Sequence, residues 1–370
     1  MAKYFLIAGE ASGDNHAARL MTAIRKRDAQ AVFVGLGGDC MAAAGCRLYQ
    51  DFRSMAFMGI AAVLRNHRQV RENFRIAGEA LRSEQPDALI LIDYPSFNLR
   101  IAAFVRKFLP ATKIYYYIPP KAWAWKRWRV HEIARLSDEV LGIFPFEPDF
   151  YARFGYRCTY VGHPTVEEIM AKGERVKGER LEAKGEKYIA LLPGSRLSEV
   201  THCLPVMLDA ARRMPAYRII VTAANGIDDE VYTRLLHEGE TLTRDTYAAI
   251  RNASFAIVNS GTATLETALL GCPQVAVYYL ACSRLIGLIR GFVQPLMFSI
   301  RYFTPVNILL KRDAVHELLA NDFTADNIHA ALQDLEREGT AAECERVRQE
   351  LLTRLGTQSA SENAAKIIVK

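Results

Sequence analysis

Ala88-Leu89-Ile90-Leu91-Ile92 carries no polar side chain, and similar short apolar runs recur along the chain with helix-length segments between them. A strand that is apolar on both faces must be covered on both faces. That condition is met by parallel sheets with helices packed on either side. The runs expected as strands are Tyr4–Ala8, Ala31–Gly35, Ala88–Ile92, Lys113–Ile118, Glu139–Phe144 and Cys158–Val161, then Lys187–Leu192, Tyr217–Thr222, Ser254–Asn259 and Gln274–Tyr279. Strand and helix alternate throughout, so the expected class is α/β with doubly wound parallel sheets.

The series breaks at Lys172–Lys187, KGERVKGERLEAKGEK, a stretch of charge and glycine that reads as a solvated linker or frayed helix. With 370 residues the chain has room for two domains at about 150 residues each. The expected division is a first Rossmann-like domain over 1–170, a linker over 171–187, a second Rossmann-like domain over 188–350 and a terminal helix over 351–370. Ligands of such folds sit beyond the carboxyl ends of the strands, so the residues there are the first candidates.

Composition narrows the partners. The chain is 50% hydrophobic and 24% charged, which excludes a disordered or collagenous chain. Its net charge of +6 suits an anionic substrate or an anionic membrane surface and is too small to argue for nucleic acid. Seven scattered cysteines without a C-x-x-C pair point to free thiols in a reducing compartment. Tyr4–Ala8 is too short for the core of a signal peptide. No stretch reaches the roughly 18 apolar residues of a membrane span, since Arg284, Arg290 and Arg301 interrupt the nearest approach, Val275–Leu310. The expectation is a cytoplasmic protein, soluble or peripheral.

Three loops in the first half have the residues for chemistry. Gly9-Glu10-Ala11-Ser12-Gly13-Asp14 is a tight strand-to-helix turn in which Ser12 or Asp14 caps the following helix, or Glu10 and Ser12 hydrogen-bond a sugar. It is not G-x-G-x-x-G, so a dinucleotide is not indicated. Asp93 directly follows an apolar strand. A carboxylate desolvated there has reason for a raised pKa and suits a general base, or it caps the turn before Pro95. Asn98 is either a cap or a substrate contact. The stretch from Pro119 to Arg129 holds all three tryptophans with Lys121, Lys126, Arg127 and Arg129, a composition that stacks on sugars, meets phosphates or packs a Trp pair in the core.

In the second half, Pro193-Gly194-Ser195-Arg196 links a strand to a helix. Its backbone N–H groups, the helix dipole and the Arg196 fork suit a diphosphate. Asn259-Ser260-Gly261-Thr262 also follows a strand, with Glu266 in the first turns of the next helix. Small residues there admit a ligand closely, and Glu266 either binds the hydroxyls of a ribose or complements the helix dipole. Together these two loops read as a nucleotide site. Met58, Ile60, Val63 and Leu64 give an apolar face followed by Arg65, Arg68 and Arg71, and Leu285–Phe303 is apolar with interspersed Arg. Each is either an interfacial lipid contact or a core helix. No Asp-x-Asp pair and no H-x-x-x-H set occurs, so no metal is expected.

With these segments placed, the chain closely resembles the lipid-A-disaccharide synthase family, glycosyltransferases of the two-Rossmann GT-B type. The resemblance is carried by AGEASGD (Ala8–Asp14), MGIAAVL (Met58–Leu64), IDYPSFN (Ile92–Asn98), WAWKRWRV (Trp123–Val130), FPFEPDFY (Phe144–Tyr151), VGHP (Val161–Pro164), LLPGSRLSEV (Leu191–Val200) and SGTATLET (Ser260–Thr267). It implies two parallel sheets facing a cleft and transfer of 2,3-diacylglucosamine from UDP-2,3-diacylglucosamine to the 6-hydroxyl of 2,3-diacylglucosamine 1-phosphate. It further implies inversion, no metal or other cofactor, and work at the inner face of the cell membrane. Asp93 matches the proposed base and Arg196 the essential arginine of the LPGSR motif. Asn225, Glu266 and Asn307 match the UDP pocket, and Lys121 and Trp123 lie in the acceptor loop. Ser96 stands where the family often has a second acid, and Pro119 and Lys121 stand where serines are common. The terminal helix is expected to cross back to the first domain or to exchange within a homodimer. Two rivals share parts of this pattern: a UDP-N-acetylglucosamine 2-epimerase, and a peripheral nucleotide-sugar binder without chemistry.

Overall fold

The computed structural model describes residues 2–54, 67–124, 127–171, 187–259, 261–279, 301–337 and 340–369. The segments 55–66, 172–186 and 280–300 lie outside the described residues, and with them the Met58–Leu64 face, the charged linker and most of Leu285–Phe303. The chain forms two compact units, Met1–Glu167 with Thr357–Lys370, and Glu168–Gly356.

The first unit is built on seven strands: β1 (Lys3–Ala8), β2 (Val32–Gly37), β3 (Arg47–Asp51), β4 (Ala88–Ile92), β5 (Lys113–Tyr117), β6 (Glu139–Gly142) and β7 (Thr159–Tyr160). They pair in the order β3-β2-β1-β4-β5-β6-β7, all parallel. β1 and β4 are the central pair, and all five residues of β4 are buried. Their side chains Phe5, Ile7, Leu89 and Leu91 share one core with Phe97, Ile101 and Val105 of the helix Pro95–Phe108. Burial on both faces explains why these strands are apolar without alternation.

The second unit has six parallel strands: β8 (Tyr188–Leu192), β9 (Arg218–Thr222), β10 (Thr241–Thr243), β11 (Phe255–Asn259), β12 (Gln274–Tyr278) and β13 (His316–Leu319), in the order β10-β9-β8-β11-β12-β13. Counted from its own first strand, the second sheet runs 3-2-1-4-5-6 and the first runs the same order with a seventh strand added at its end, the doubly wound order. Three strands had no counterpart among the expected ones: β3, β10 and β13. β10 and β13 are the edges of their sheet and β3 is an edge of the other. Edges are part-exposed and carry polar residues, so the apolar signal is absent from them.

The chain end packs on the first unit. The helix Ala360–Ile368 lies against the helix Ala11–Arg25. Glu167 accepts hydrogen bonds from Ser359 Oγ (2.9 Å), from the Ser361 N–H (2.9 Å) and from Ser361 Oγ. Among the described residues no helix is long and apolar enough to cross a membrane, and no group of three His, Cys, Asp or Glu is placed to hold a metal ion.

Candidate active site

In each sheet the direction of winding reverses beside the first strand, and the loops at that point part to leave a binding place. In the first unit the reversal lies between β1 and β4. Ala8 and Ile92 are register partners at the ends of those strands. Glu10 and Asp93 follow one or two residues later, so the fold brings the two acids to one place.

The turn that carries Asp93 is unusual. Asp93 (φ 45°) and Tyr94 (φ 44°) are both left-handed, a region that Asp and Asn enter at less cost than bulkier residues. Four hydrogen bonds hold the turn. Asn98 Nδ2 donates to the carbonyls of Ile92 (3.2 Å) and Asp93 (2.8 Å), Tyr116 Oη donates to the Asp93 carbonyl (2.8 Å), and the Asp93 N–H donates to the Ile118 carbonyl (3.2 Å). The Tyr94 ring lies over Gly9, where a Cβ would come within 2.2 Å of Tyr94 Cγ. Gly9 is thus required by close approach of the two loops.

Asp93 lines a pocket of about 300 Å³ at the carboxyl ends of β4, β5 and β6, together with Lys121, Arg129, Ile118, Ile143 and Phe144. Burial pushes its carboxyl up to about 6, and the negative charge of Glu10 and the hydrogen bond that protonated Asp93 donates to it add to the rise, while Lys121 and the Tyr94 N–H oppose it. A carboxylate with that pKa is ionised at neutral pH yet basic enough to take a proton in a transition state. Ser12 Oγ donates to Glu10 Oε1 at 3.5 Å and is exposed.

Several expected site residues have other roles. Asn98 is fully buried, and its amide holds the Asp93 turn rather than facing a ligand. Trp123 is 8% exposed, packs edge-on against Phe144 and Phe146, and donates its indole N–H to Glu147 Oε1 (3.1 Å), so it is a core residue. Asp14 does not cap its own helix. Its carboxylate accepts the N–H groups of Gly38 (2.8 Å), Cys40 (2.9 Å) and Met41 (3.1 Å), closing the start of the helix Asp39–Ala43. His163 of the VGHP segment is buried and held neutral, its pKa pushed down to about 3 by burial first and then by His16 and Lys121. Lys121 is exposed at the pocket. Arg129 is one of the four cations of the tryptophan stretch, whereas Glu147 is not among the expected site residues; it lies inside an apolar run, where neither spacing nor periodicity marks a function.

In the second unit the reversal lies between β8 and β11. Gly194, Ser195 and Arg196 follow β8, Asn225 follows β9, and Gly261 and Thr262 follow β11. Since β9, β8 and β11 are neighbours, these loops share one end of the sheet. Ser260 lies outside the described residues. Asn225 is exposed, and Glu266 is part-buried in the helix Thr262–Leu269, where its Oε1 accepts from Tyr247 Oη (3.3 Å).

The Pro193–Arg196 loop differs from a vacant anion cradle. Glu199 Oε2 accepts the N–H groups of Ser195 (3.0 Å) and Arg196 (3.3 Å), and its Oε1 accepts from Arg196 Nη1 (2.8 Å). The chain's own carboxylate thus sits on the N–H groups assigned to phosphate and holds the Arg196 guanidinium. Gly194 (φ +121°) is required there, because a Cβ would lie 2.6 Å from Glu199 Oε2 and 2.7 Å from Asn259 Nδ2. Asn307, expected in the UDP pocket, is fully buried. Its Nδ2 donates to the Val315 carbonyl (2.8 Å) and Glu317 Oε1 (2.9 Å), and its Oδ1 accepts from the N–H groups of Ala314 (2.8 Å) and Val315 (2.9 Å). With donor and acceptor both spent internally, it braces a loop.

Comparison with known proteins shows the family of the chain and its fold. A family model described as lipid-A-disaccharide synthetase matches residues 4–370. The lipid-A-disaccharide synthase of Myxococcus xanthus (strain DK1622) is 36% identical over 380 aligned positions, covering 100% of this chain and 97% of its own. Among solved structures, the UDP-GlcNAc 2-epimerase of Neisseria meningitidis bound to UDP-GlcNAc superposes with a TM-score of 0.57 at 11% identity, covering 99% of this chain and 98% of its own. The calicheamicin glycosyltransferase CalG4 superposes with a TM-score of 0.61 at 13% identity, covering 100% and 97%. At such identities the two structures speak for the two-Rossmann fold alone.

Proposed function

The chain belongs to the lipid-A-disaccharide synthetase family, glycosyltransferases of lipid A biosynthesis, and from that premise we propose how its residues divide the work. The donor is UDP-2,3-diacylglucosamine and the acceptor 2,3-diacylglucosamine 1-phosphate. Asp93 takes the proton from the acceptor 6-hydroxyl as that oxygen attacks C1, and the C1–O bond to UDP breaks with inversion. Negative charge then grows on the departing UDP, where Arg196 and the helix start behind it are suited to stabilise it. Lys121 and Arg129 meet the acceptor 1-phosphate. The observation that carries this reading is the pocket itself, in which a carboxyl poised near neutrality stands with two cations. The absence of an Asp-x-Asp motif supports a displacement without a metal.

The direct test compares UDP release from UDP-2,3-diacylglucosamine and from the unacylated UDP-glucosamine, each with and without acceptor. Fast release is expected with the acylated donor and acceptor together. Equal turnover of an unacylated UDP-sugar without acceptor would point to the epimerase instead.

Both substrates carry acyl chains, so the enzyme must reach a bilayer surface. We assign this contact to the apolar face Met58, Ile60, Val63 and Leu64 with Arg65, Arg68 and Arg71. Arg68 and Arg71 are exposed at the start of the helix His67–Glu84. Each cation near an anionic leaflet contributes about 1 kcal/mol, and inserted apolar side chains add to it. Binding to anionic vesicles is expected to weaken with salt without vanishing. Replacing Ile60, Val63 and Leu64 together by Ser should reduce vesicle binding and leave UDP affinity unchanged. Loss of both at once would place those residues in the core.

A further inference from the structure

Two chain segments wall the pocket that holds Asp93: the loop after β5, with Ile118 and Lys121, and the loop after β6, with Ile143 and Phe144. One side chain joins them. Glu147 is 1% exposed; its Oε2 accepts the N–H groups of Ile143 (2.8 Å) and Phe144 (2.9 Å), and its Oε1 accepts the indole N–H of Trp123 (3.1 Å). Trp123 lies two residues after Lys121. We propose that Glu147 is a positioning residue for the acceptor: its carboxylate ties the two walls together and so sets where Lys121 and Phe144 stand relative to Asp93.

The chemistry of the contacts supports a tie rather than simple packing. All three partners are N–H donors, and an ionised carboxylate, which only accepts, satisfies every one of them. Burial acts the other way and pushes the Glu147 carboxyl up to about 7, with the three donors and Lys121 opposing. Lys121 faces it from the loop after β5, Tyr151 from its own helix, and Cys158 and Tyr160 from β7 and the turn before it. Keeping a carboxylate in so dry a place costs free energy that an apolar side chain would spare. The return is geometric, because a binding group displaced by about 1 Å can cost on the order of a hundredfold in kcat/KM.

This inference rests on the pocket being the acceptor site. Glu147→Gln keeps one oxygen for the two backbone N–H groups and sets an amide N–H₂ against the indole N–H, donor to donor. Trp123→Phe keeps the ring and removes the indole donor. Both variants are expected to raise the acceptor KM by about 10- to 100-fold with a smaller change in kcat and unchanged UDP affinity. The double variant should be no worse than Glu147→Gln, since both break one tie. In wild-type protein labelled at the indole nitrogens, one N–H resonance should shift with a midpoint near 7, and the shift should vanish in Glu147→Gln. Wild-type acceptor KM in both variants, or additive losses in the double variant, would overturn the tie. If Glu147→Gln does not fold, Trp123→Phe alone decides: a raised acceptor KM upholds the proposal and a wild-type one ends it. Failure of the underlying reading looks different, since wild-type enzyme would then form no disaccharide from the phosphorylated acceptor.

Discussion

Asp93→Asn is expected to lose roughly 10²- to 10⁴-fold in turnover while folding normally and binding UDP as the wild type does. Asparagine is close in shape to aspartate and tolerates the left-handed conformation at φ 45°, so the turn survives. The carbonyl that receives Asn98 and Tyr116 belongs to the backbone and is untouched. What disappears is the group able to accept a proton. The wild-type kcat/KM should fall as pH drops below about 6, where burial and Glu10 have placed the carboxyl, and the residual activity of the variant should lack that step. Stability gives an independent check with a definite sign. A carboxyl raised from 3.8 to about 6 in the fold stabilises it most while protonated, and that contribution is lost as pH rises through this window. The asparagine variant should therefore melt above the wild type at pH 7.5 and converge with it below pH 4. Turnover within a few-fold of wild type would remove Asp93 from the chemistry.

Arg196→Ala is expected to weaken UDP binding by about 10- to 100-fold, the ordinary worth of a charge-assisted hydrogen bond to an anion. The Arg196 side chain is 48% exposed and is already held in place by Glu199. Its loss should be felt most by UDP, less by UMP and hardly by uracil. Glu266→Ala should weaken UDP and UMP alike, since its proposed partner is the ribose. If Arg196→Ala weakened uracil as much as UDP, the diphosphate assignment would be wrong. The bond from Tyr247 to Glu266 makes Tyr247→Phe a milder version of the same change.

The strands that build the cores were readable because burial on two faces writes an unbroken apolar run, as in β4 and β11. The edges β3, β10 and β13 were not, since Arg47-Leu48-Tyr49-Gln50-Asp51 or His316-Glu317 looks like loop until a neighbour is known. The acids Glu10 and Asp93 were legible for a related reason: a polar residue directly after an apolar strand must emerge at its carboxyl end. Direction within a loop was not legible. Trp123 and Asn307 sit in motif positions, yet one packs into the core and the other spends its amide on the backbone. Asp14 serves backbone groups 24 to 27 residues away, a relation that local spacing cannot show. Glu199 reads as an ordinary acid in the first turn of a helix, and only the folded loop reveals that its carboxylate covers the N–H groups read from sequence as a phosphate cradle.

That last feature bears on how the nucleotide enters. With Glu199 on the Ser195 and Arg196 N–H groups, the bare backbone offers less to a diphosphate than the motif implied. On the proposed reading, the guanidinium of Arg196, aligned by the same carboxylate, is the group on which phosphate binding depends most. Free UDP affinity should consequently fall steeply with salt in the wild type and weakly in Arg196→Ala.

The measurement that bears most directly on the central claim is product analysis after mixing enzyme, UDP-2,3-diacylglucosamine and 2,3-diacylglucosamine 1-phosphate. Glycosyl transfer with Asp93 as base predicts one UDP released for each disaccharide formed, a 1′,6 linkage, and inversion at C1 of the transferred sugar. UDP released without disaccharide, retention at C1, or a linkage to any oxygen other than the 6-hydroxyl would contradict it.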